Sequence, residues 1–205
     1  MKILVIGSHP DDFEFGCGGT LVKFYKKSKI YVLVMSKGEV GGDPNIREKE
    51  QVKVCKKLNA QLYWGGFQDT KIELTKKLID VIESVIKKVS PDFIFTHFPN
   101  DTHQDHRNVA EATITATRYI RNVLLYETPS SIDFTPTVFV DITNNINEKL
   151  QLLKLHKSQI YATRIQNLSI IEAAKSTAIF RGYQNRTKFA EGFVPLRLAL
   201  DFVLR

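Results

Sequence analysis

Cysteine is scarce in this chain, with only Cys17 and Cys55 among 205 residues. That leaves neither a disulfide framework nor the ligand spacing of a zinc finger, and it points to a reducing cytoplasm. Long apolar runs are missing as well. The stretch at residues 3–6 is too short for the roughly 7 to 15 residues of a secretory core, and no later run approaches the ~20 needed to span a membrane. The expectation is a soluble, unprocessed, cytoplasmic protein with no membrane partner. No Ser/Gly linker, internal repeat or low-complexity tract interrupts the sequence, so residues 1–205 read as one domain. At 43% apolar and 25% charged residues, a chain of this size buries about 70% of the surface its unfolded form exposes, which excludes disorder and mini-protein scaffolds.

Acidic residues are outnumbered, 22 against 29 Lys and Arg, for a net charge of +7. Such an excess can attract nucleic acid, an anionic membrane or an anionic small molecule. Its placement argues against the first two. The lysines fall in pairs on polar helix faces (Lys26 and Lys27, Lys56 and Lys57, Lys76 and Lys77, Lys87 and Lys88), with no dense stripe interleaved with aromatics. What remains is a solvated surface with a weak bias towards negatively charged ligands.

Residues 2–7 and 30–35 are short, continuous, β-branched runs of the kind covered on both faces. A third strand is predicted over residues 61–64, a fourth over 92–96 and a fifth over 122–126. Between them the spacing predicts helices over residues 20–27, from an N-cap at Asn45 to about 58, around the apolar stripe 78–89, and over 105–121. Alternation of this kind calls for a Rossmann-like, doubly wound, mostly parallel α/β sheet of order 3-2-1-4-5. The core occupies about residues 1–126. A C-terminal α/β extension over about 127–205 carries a predicted strand 137–142, helices 145–159 and 169–180, and a partly alternating strand candidate 196–203. Its apolar residues could also pack against a second copy of the chain.

The chemistry sits after two strands. Ser8-His9-Pro10-Asp11-Asp12-Phe13-Glu14 follows the first, and Asn100-Asp101-Thr102-His103-Gln104-Asp105-His106 follows the fourth. In the 3-2-1-4-5 order these strands are neighbours where the winding reverses, so both loops meet in one crevice. Imidazoles and a carboxylate are ligands that Zn²⁺ accepts, and three protein ligands leave a position open for water. The same pair of imidazoles and one carboxylate also fits a non-haem Fe(II) enzyme. A third reading is a non-catalytic sugar- or nucleotide-binding protein using the crevice alone.

At these residues the chain resembles the zinc-dependent N-deacetylases of the PIG-L/LmbE family, marked by His-Pro-Asp-Asp after the first strand and His-x-x-His after the fourth. Further likeness lies in Gly18-Gly19-Thr20, Lys37-Gly38-Glu39, Arg47 with Glu50, Pro91-Asp92, Leu125-Tyr126, Ser158-Gln159 and Ala190-Glu191-Gly192-Phe193. The resemblance implies one Zn²⁺ per active site held by His9, Asp12 and His106, with Asp11 as general base and His103 as a second catalytic histidine held by Asp105. It implies removal of an N-acetyl group from an amino sugar such as an N-acetylglucosamine conjugate. The basic surface mildly favours an anionic aglycone.

Elementary chemistry asks for the same division of labour. An amide is a poor electrophile with a poor leaving group, so its hydrolysis needs an activated water, a sink for the oxyanion and a proton for the amine. Of two adjacent carboxylates only one can comfortably ligate a single ion, and the other is left to handle the water's proton. Protonated His103 is expected to steady the developing negative charge. Arg47, with Glu50 one turn on to orient it, is a candidate contact for a sugar hydroxyl or an anion. Glu14 is expected to support the start of the first helix, His97 to be a hydrogen-bonded structural residue, and His156 to be solvated or capping.

Overall fold

The computed structural model describes residues 1–203. Its elements run β1 (Lys2–Gly7), α1 (Asp12–Phe24), β2 (Lys29–Val34), α2 (Pro44–Lys57), β3 (Gln61–Trp64), α3 (Lys76–Val89), β4 (Phe93–His97), α4 (Gln104–Ala116), β5 (Val123–Tyr126), β6 (Val138–Asp141), α5 (Ile146–Leu153), α6 (Ile170–Asn185), β7 (Ala190–Arg197) and α7 (Leu200–Val203). The strands form one sheet of order β3-β2-β1-β4-β5-β7-β6. Strands β1 to β5 are parallel, as the alternation of strand and helix demands, and β7 and β6 extend the β5 edge antiparallel. Because successive strand residues point to opposite faces, Ile3 and Val5 join Phe13, Val32 and Phe95 in one core. Leu4 and Ile6 join Leu33, Ile82 and Val109 in the other. A sheet buried on both faces exposes only its strand ends, and that fixes the site at the carboxyl end of β1 and β4.

Several boundaries differ from the sequence reading. The first helix begins at Asp12, so the glycine-rich stretch expected to be loop is helical. Packing overrides propensity here. A Cβ on Gly16 would come within 2.2 Å of the Tyr126 ring, whose hydroxyl donates to Ile6 O (2.8 Å), and one on Gly19 would meet Ile142 at 2.8 Å. Helix α2 is capped by Asp43, whose side chain accepts from the amides of Asn45 and Ile46, with Pro44 at the first helical position rather than Asn45 at the cap. The helix expected over 145–159 stops at Leu153 and resumes as a 3-10 turn at Lys157–Gln159. Helix α6 starts where expected, at a Ser169–Glu172 capping box, but runs on to Asn185.

The last strand lies earlier than the alternation suggests. It is Ala190–Arg197, not 196–203, and residues 200–203 are helical. Its first residues, Ala-Glu-Gly, have little strand propensity. They are held instead by pairing with Phe139, Val140 and Asp141 of β6, and Phe193 then pairs with both Val138 of β6 and Tyr126 of β5. Buried Glu191 accepts hydrogen bonds from the Gly19 and Thr20 amides, the Thr20 hydroxyl and the Lys149 ammonium. That cluster joins two of the sequence's separated marks, Gly19-Thr20 and Glu191, in one place.

Candidate metal centre

Asp11 turns the chain from β1 into α1 with a positive φ of 86°, a conformation that Asp and Asn tolerate better than most residues. The turn puts Asp12 in the first helical position, where its Oδ2 accepts from the amides of Ser8 (3.0 Å) and His9 (2.7 Å). Its other oxygen, Oδ1, faces His106 Nε2 at 3.4 Å, and His9 Nδ1 lies 3.5 Å from Oδ2. With His97 Nε2 at 3.2 Å from Oδ2, three imidazole nitrogens converge on one carboxylate. On the far side the rings of His9 and His106 are held by acid. His9 Nε2 is 2.9 Å from Asp69 and 3.0 Å from Asp105, and His106 Nδ1 is 3.3 Å from Asp101. A carboxylate behind an imidazole fixes the tautomer and leaves the lone pair on the opposite nitrogen, as metal-binding histidines require.

The crevice gathers more donors than one ion needs. Within 4.8 Å of one another lie donor atoms of three overlapping sets, His9 with His103 and His106, Asp12 with His97 and His106, and His9 with Asp69 and Asp105. His9, Asp12 and His106 each belong to at least one. Burial alone would lower both imidazoles. The hydrogen bonds of Asp105, Asp12 and Asp69 instead raise His9 well above its ordinary value, and the charge of Asp12 with the bond from Asp101 raises His106 to about 9. Asp69, despite burial, is held down to about 2, mainly by its hydrogen bond to His9. The cluster is thus built to stabilise positive charge where the two rings meet Asp12, and the donor set suits a divalent cation.

Asp11 is pushed the other way. Burial raises it to about 6 even though Arg47 and His156 pull it down. Arg47 is buried and serves as a clamp. It donates from Nη1 to Gly38 O (2.7 Å) and from Nη2 to Pro10 O (2.9 Å), tying the β2 loop to the β1 loop, with Asp11 Oδ1 at 3.8 Å. Glu50 does not orient it, because both Glu50 oxygens are taken by the Ser158 amide and hydroxyl.

His103 caps α4 through its own ring, Nδ1 accepting the Asp105 amide at 3.2 Å. The proton therefore sits on Nε2. Burial and the charges of His106 and His9 lower its pKa. The expected imidazolium gives way to a neutral N–H donor. Nor is His103 held by the Asp105 side chain. That carboxylate binds His9 and the amides of Thr70 (2.7 Å) and Ile72 (3.3 Å), so it positions His9 and the loop after β3. His97, expected to be a hydrogen-bonded structural residue, is fully buried, accepts from the Ser8 amide at 3.0 Å with Asp12 Oδ2 at 3.2 Å, stacks its ring on His106 at 4.2 Å, and is lowered by burial to about 4.

Three participants escaped the sequence reading. Asp69 lies in the loop after β3, on the carboxyl side of the sheet where any acid is a candidate, and that position was the available signal. Asp101 accepts from the His103 amide (2.8 Å) and backs His106. His156, expected to be solvated or capping, stands at the start of the 3-10 turn but makes no side-chain cap, being fully buried and bonded through Nε2 to Glu14 (2.8 Å), which also accepts from Gln51. Glu14 thus anchors the 3-10 turn instead of supporting the helix start. Burial lowers His156, but the charge and hydrogen bond of Glu14 raise it net above its ordinary 6.5. A histidine raised on folding adds stability that is complete below its unfolded value and disappears as pH climbs through the folded one. The melting-temperature difference between wild type and His156→Gln is therefore expected to be largest below the ordinary histidine value of about 6.5 and to shrink as pH rises above it.

A cavity of about 400 Å³ opens over these residues, walled by Arg47, Asp69, Thr70 and Arg164. A doubly wound α/β sheet with a candidate His/Asp cation site at its winding-reversal point defines the class, a candidate metalloenzyme built on a Rossmann-like frame. The chain belongs to the PIG-L family, whose profile, described as GlcNAc-PI de-N-acetylase, matches residues 4–117. Members of this family are hydrolases acting on amide bonds. The chain is 37% identical over 168 residues to the uncharacterized deacetylase YaiS of Escherichia coli K12, covering 76% of this chain and 90% of that one. It is 26% identical over 224 residues to the diacetylchitobiose deacetylase of Thermococcus kodakarensis, covering 95% and 83%. The solved N,N'-diacetylchitobiose deacetylase of Pyrococcus horikoshii superposes with a TM-score of 0.84 at 23% identity, covering 95% of this chain and 83% of that one. At that identity the likeness shows the fold. No helix among the described residues is long and apolar enough to cross a membrane.

Proposed function

We propose that this chain is a zinc-dependent N-deacetylase that frees the amine of an N-acetylated amino sugar of the N-acetylglucosamine class. One observation carries the reading: His9 Nδ1 and His106 Nε2 both face Asp12 while acids hold their far nitrogens. His9, Asp12 and His106 are assigned as the ligands of one ion. When bound there, zinc supplies Lewis acidity, lowering the pKa of a coordinated water to about 7 and polarising the acyl oxygen.

Asp11 is assigned as the general base, taking the attacking water's proton and returning it to the departing amine. Its elevated pKa suits a group that must both accept and release a proton near neutrality. The neutral His103 Nε2–H donates to the oxyanion as it forms. Asp105 and Asp69 act through His9, and Arg47 acts by clamping the two loops that present Asp11. Arg164, exposed at the mouth and making no ion pair among the described residues, supports an anionic substituent on the sugar. Two cysteines, both buried and free, agree with a reducing cytoplasm.

The test is release of primary amine from diacetylchitobiose, N-acetylglucosaminyl malate and N-acetylglucosamine 1-phosphate. Activity is expected to vanish on chelation, to return with one equivalent of zinc per chain, and to favour the anionic substrates. Absence of free amine from every N-acetylated sugar, or oxygen consumption with iron in its place, would overturn the reading.

A further inference from the structure

A second cavity, of about 220 Å³, adjoins the first and shares Asp11, Asp12, His106, Gln159 and Ala162 with it. The two walls differ in chemistry. On the larger side stand Arg47, Asp69 and Arg164. On the smaller side Phe15, Pro129 and Ile170 form an apolar face, with Thr128, Ser130 and Thr163 completing the lining. Phe15 is buried in a cluster with Leu153 and Ala174, against which Ile170 packs, so the Phe15 and Ile170 part of this face is held by the core.

An amide being hydrolysed at the shared residues must send its nitrogen substituent one way and its acyl substituent the other. A sugar needs hydrogen-bonding partners for its hydroxyls, which the larger cavity offers, and an alkyl group loses nothing by leaving water against Phe15 and Ile170. The smaller cavity is therefore the acyl side. An acetyl methyl is about the size of a water molecule, ~30 Å³, and fills only a small part of it.

We infer that this cavity is an acyl-chain channel and that the enzyme hydrolyses N-acyl amino sugars with unbranched chains of about four to six carbons, in addition to acetyl. This rests on the deacetylase reading and extends it. The reaction balances as ordinary hydrolysis. Water's oxygen bonds to the acyl carbon, the carbon–nitrogen bond breaks, the nitrogen takes a proton, and the products are the free amino sugar and a short-chain carboxylate.

The experiment compares N-acetyl-, N-butanoyl- and N-hexanoylglucosamine with the zinc-loaded full-length protein, reading amine release. Expected is a rise in kcat/KM of about two- to fourfold per added methylene, from the burial of each group. In Ile170→Trp, which fills the channel, the hexanoyl-to-acetyl ratio is expected to fall about tenfold or more, and in Ile170→Ala to hold or rise. Amine from the acetyl substrate alone, or a hexanoyl-to-acetyl ratio that neither Ile170 variant changes, would overturn the channel and leave the deacetylase intact. No amine from any of the three would remove both.

Discussion

Replacing Asp11 by Asn is expected to leave the zinc content of the protein unchanged and to lower kcat by about 10²- to 10⁴-fold, the range associated with loss of a general acid–base group. The substitution suits the question because little else changes. Asparagine tolerates the positive φ that Asp11 adopts at the entrance to α1, its volume is nearly the same, and Asp11 makes no hydrogen bond to His9 or His106. The Arg47 clamp survives, since its guanidinium is anchored by the Gly38 and Pro10 carbonyls at 2.7 and 2.9 Å, while Asp11 stands farther off at 3.8 Å. Asp12→Asn is the contrasting variant. It weakens the carboxylate on which His9 and His106 converge, so activity and zinc should fall together. Metal analysis beside steady-state kinetics separates the two, and Asp11→Asn with near-normal turnover would remove Asp11 from the chemistry.

The largest stability effect is expected at Glu191, far from the reacting atoms. Glu191→Gln keeps the volume and removes the charge that faces the Lys149 ammonium, both side chains being 3% exposed. An uncompensated buried charge costs about 3–5 kcal/mol, a large part of the ~5–15 kcal/mol by which a domain is stable. Lys149→Met should cost less, because Glu191 keeps three donors from Gly19 and Thr20. The double variant is expected to be more stable than Glu191→Gln alone, since no ammonium is left stranded. Urea unfolding of the three proteins measures this, and additive losses would show that the pair is not coupled.

How much of this was legible beforehand follows from the range of each interaction. Strands β1 to β5 and their order were readable because a buried parallel strand announces itself in four to six consecutive residues and right-handed crossovers prune the rest. His9, Asp11, Asp12, His103 and His106 were readable as a group because each lies within a few residues of a strand end that the topology brings to one crevice. Their partners were not. Which imidazole Asp105 holds depends on where the loop after β3 comes to rest, and Asp69 reaches His9 from 60 positions away in sequence. His156 looked solvated because a lone histidine beside Lys157 carries no sign of Glu14, 142 residues earlier. The start of α1 was hidden by its glycines, whose purpose is visible only in Tyr126 and Ile142 packed against them. Strand β7 was misplaced because its register is set by neighbours on both sides rather than by its own alternation.

The central claim is that one cation sits where His9, Asp12 and His106 meet. Anomalous diffraction at the zinc edge, from crystals of the protein loaded with zinc, tests it most directly. The account predicts a single strong peak in contact with His9 Nδ1, Asp12 Oδ1 and His106 Nε2. A peak lodged instead among His9, Asp69 and Asp105, with His106 uninvolved, would contradict it.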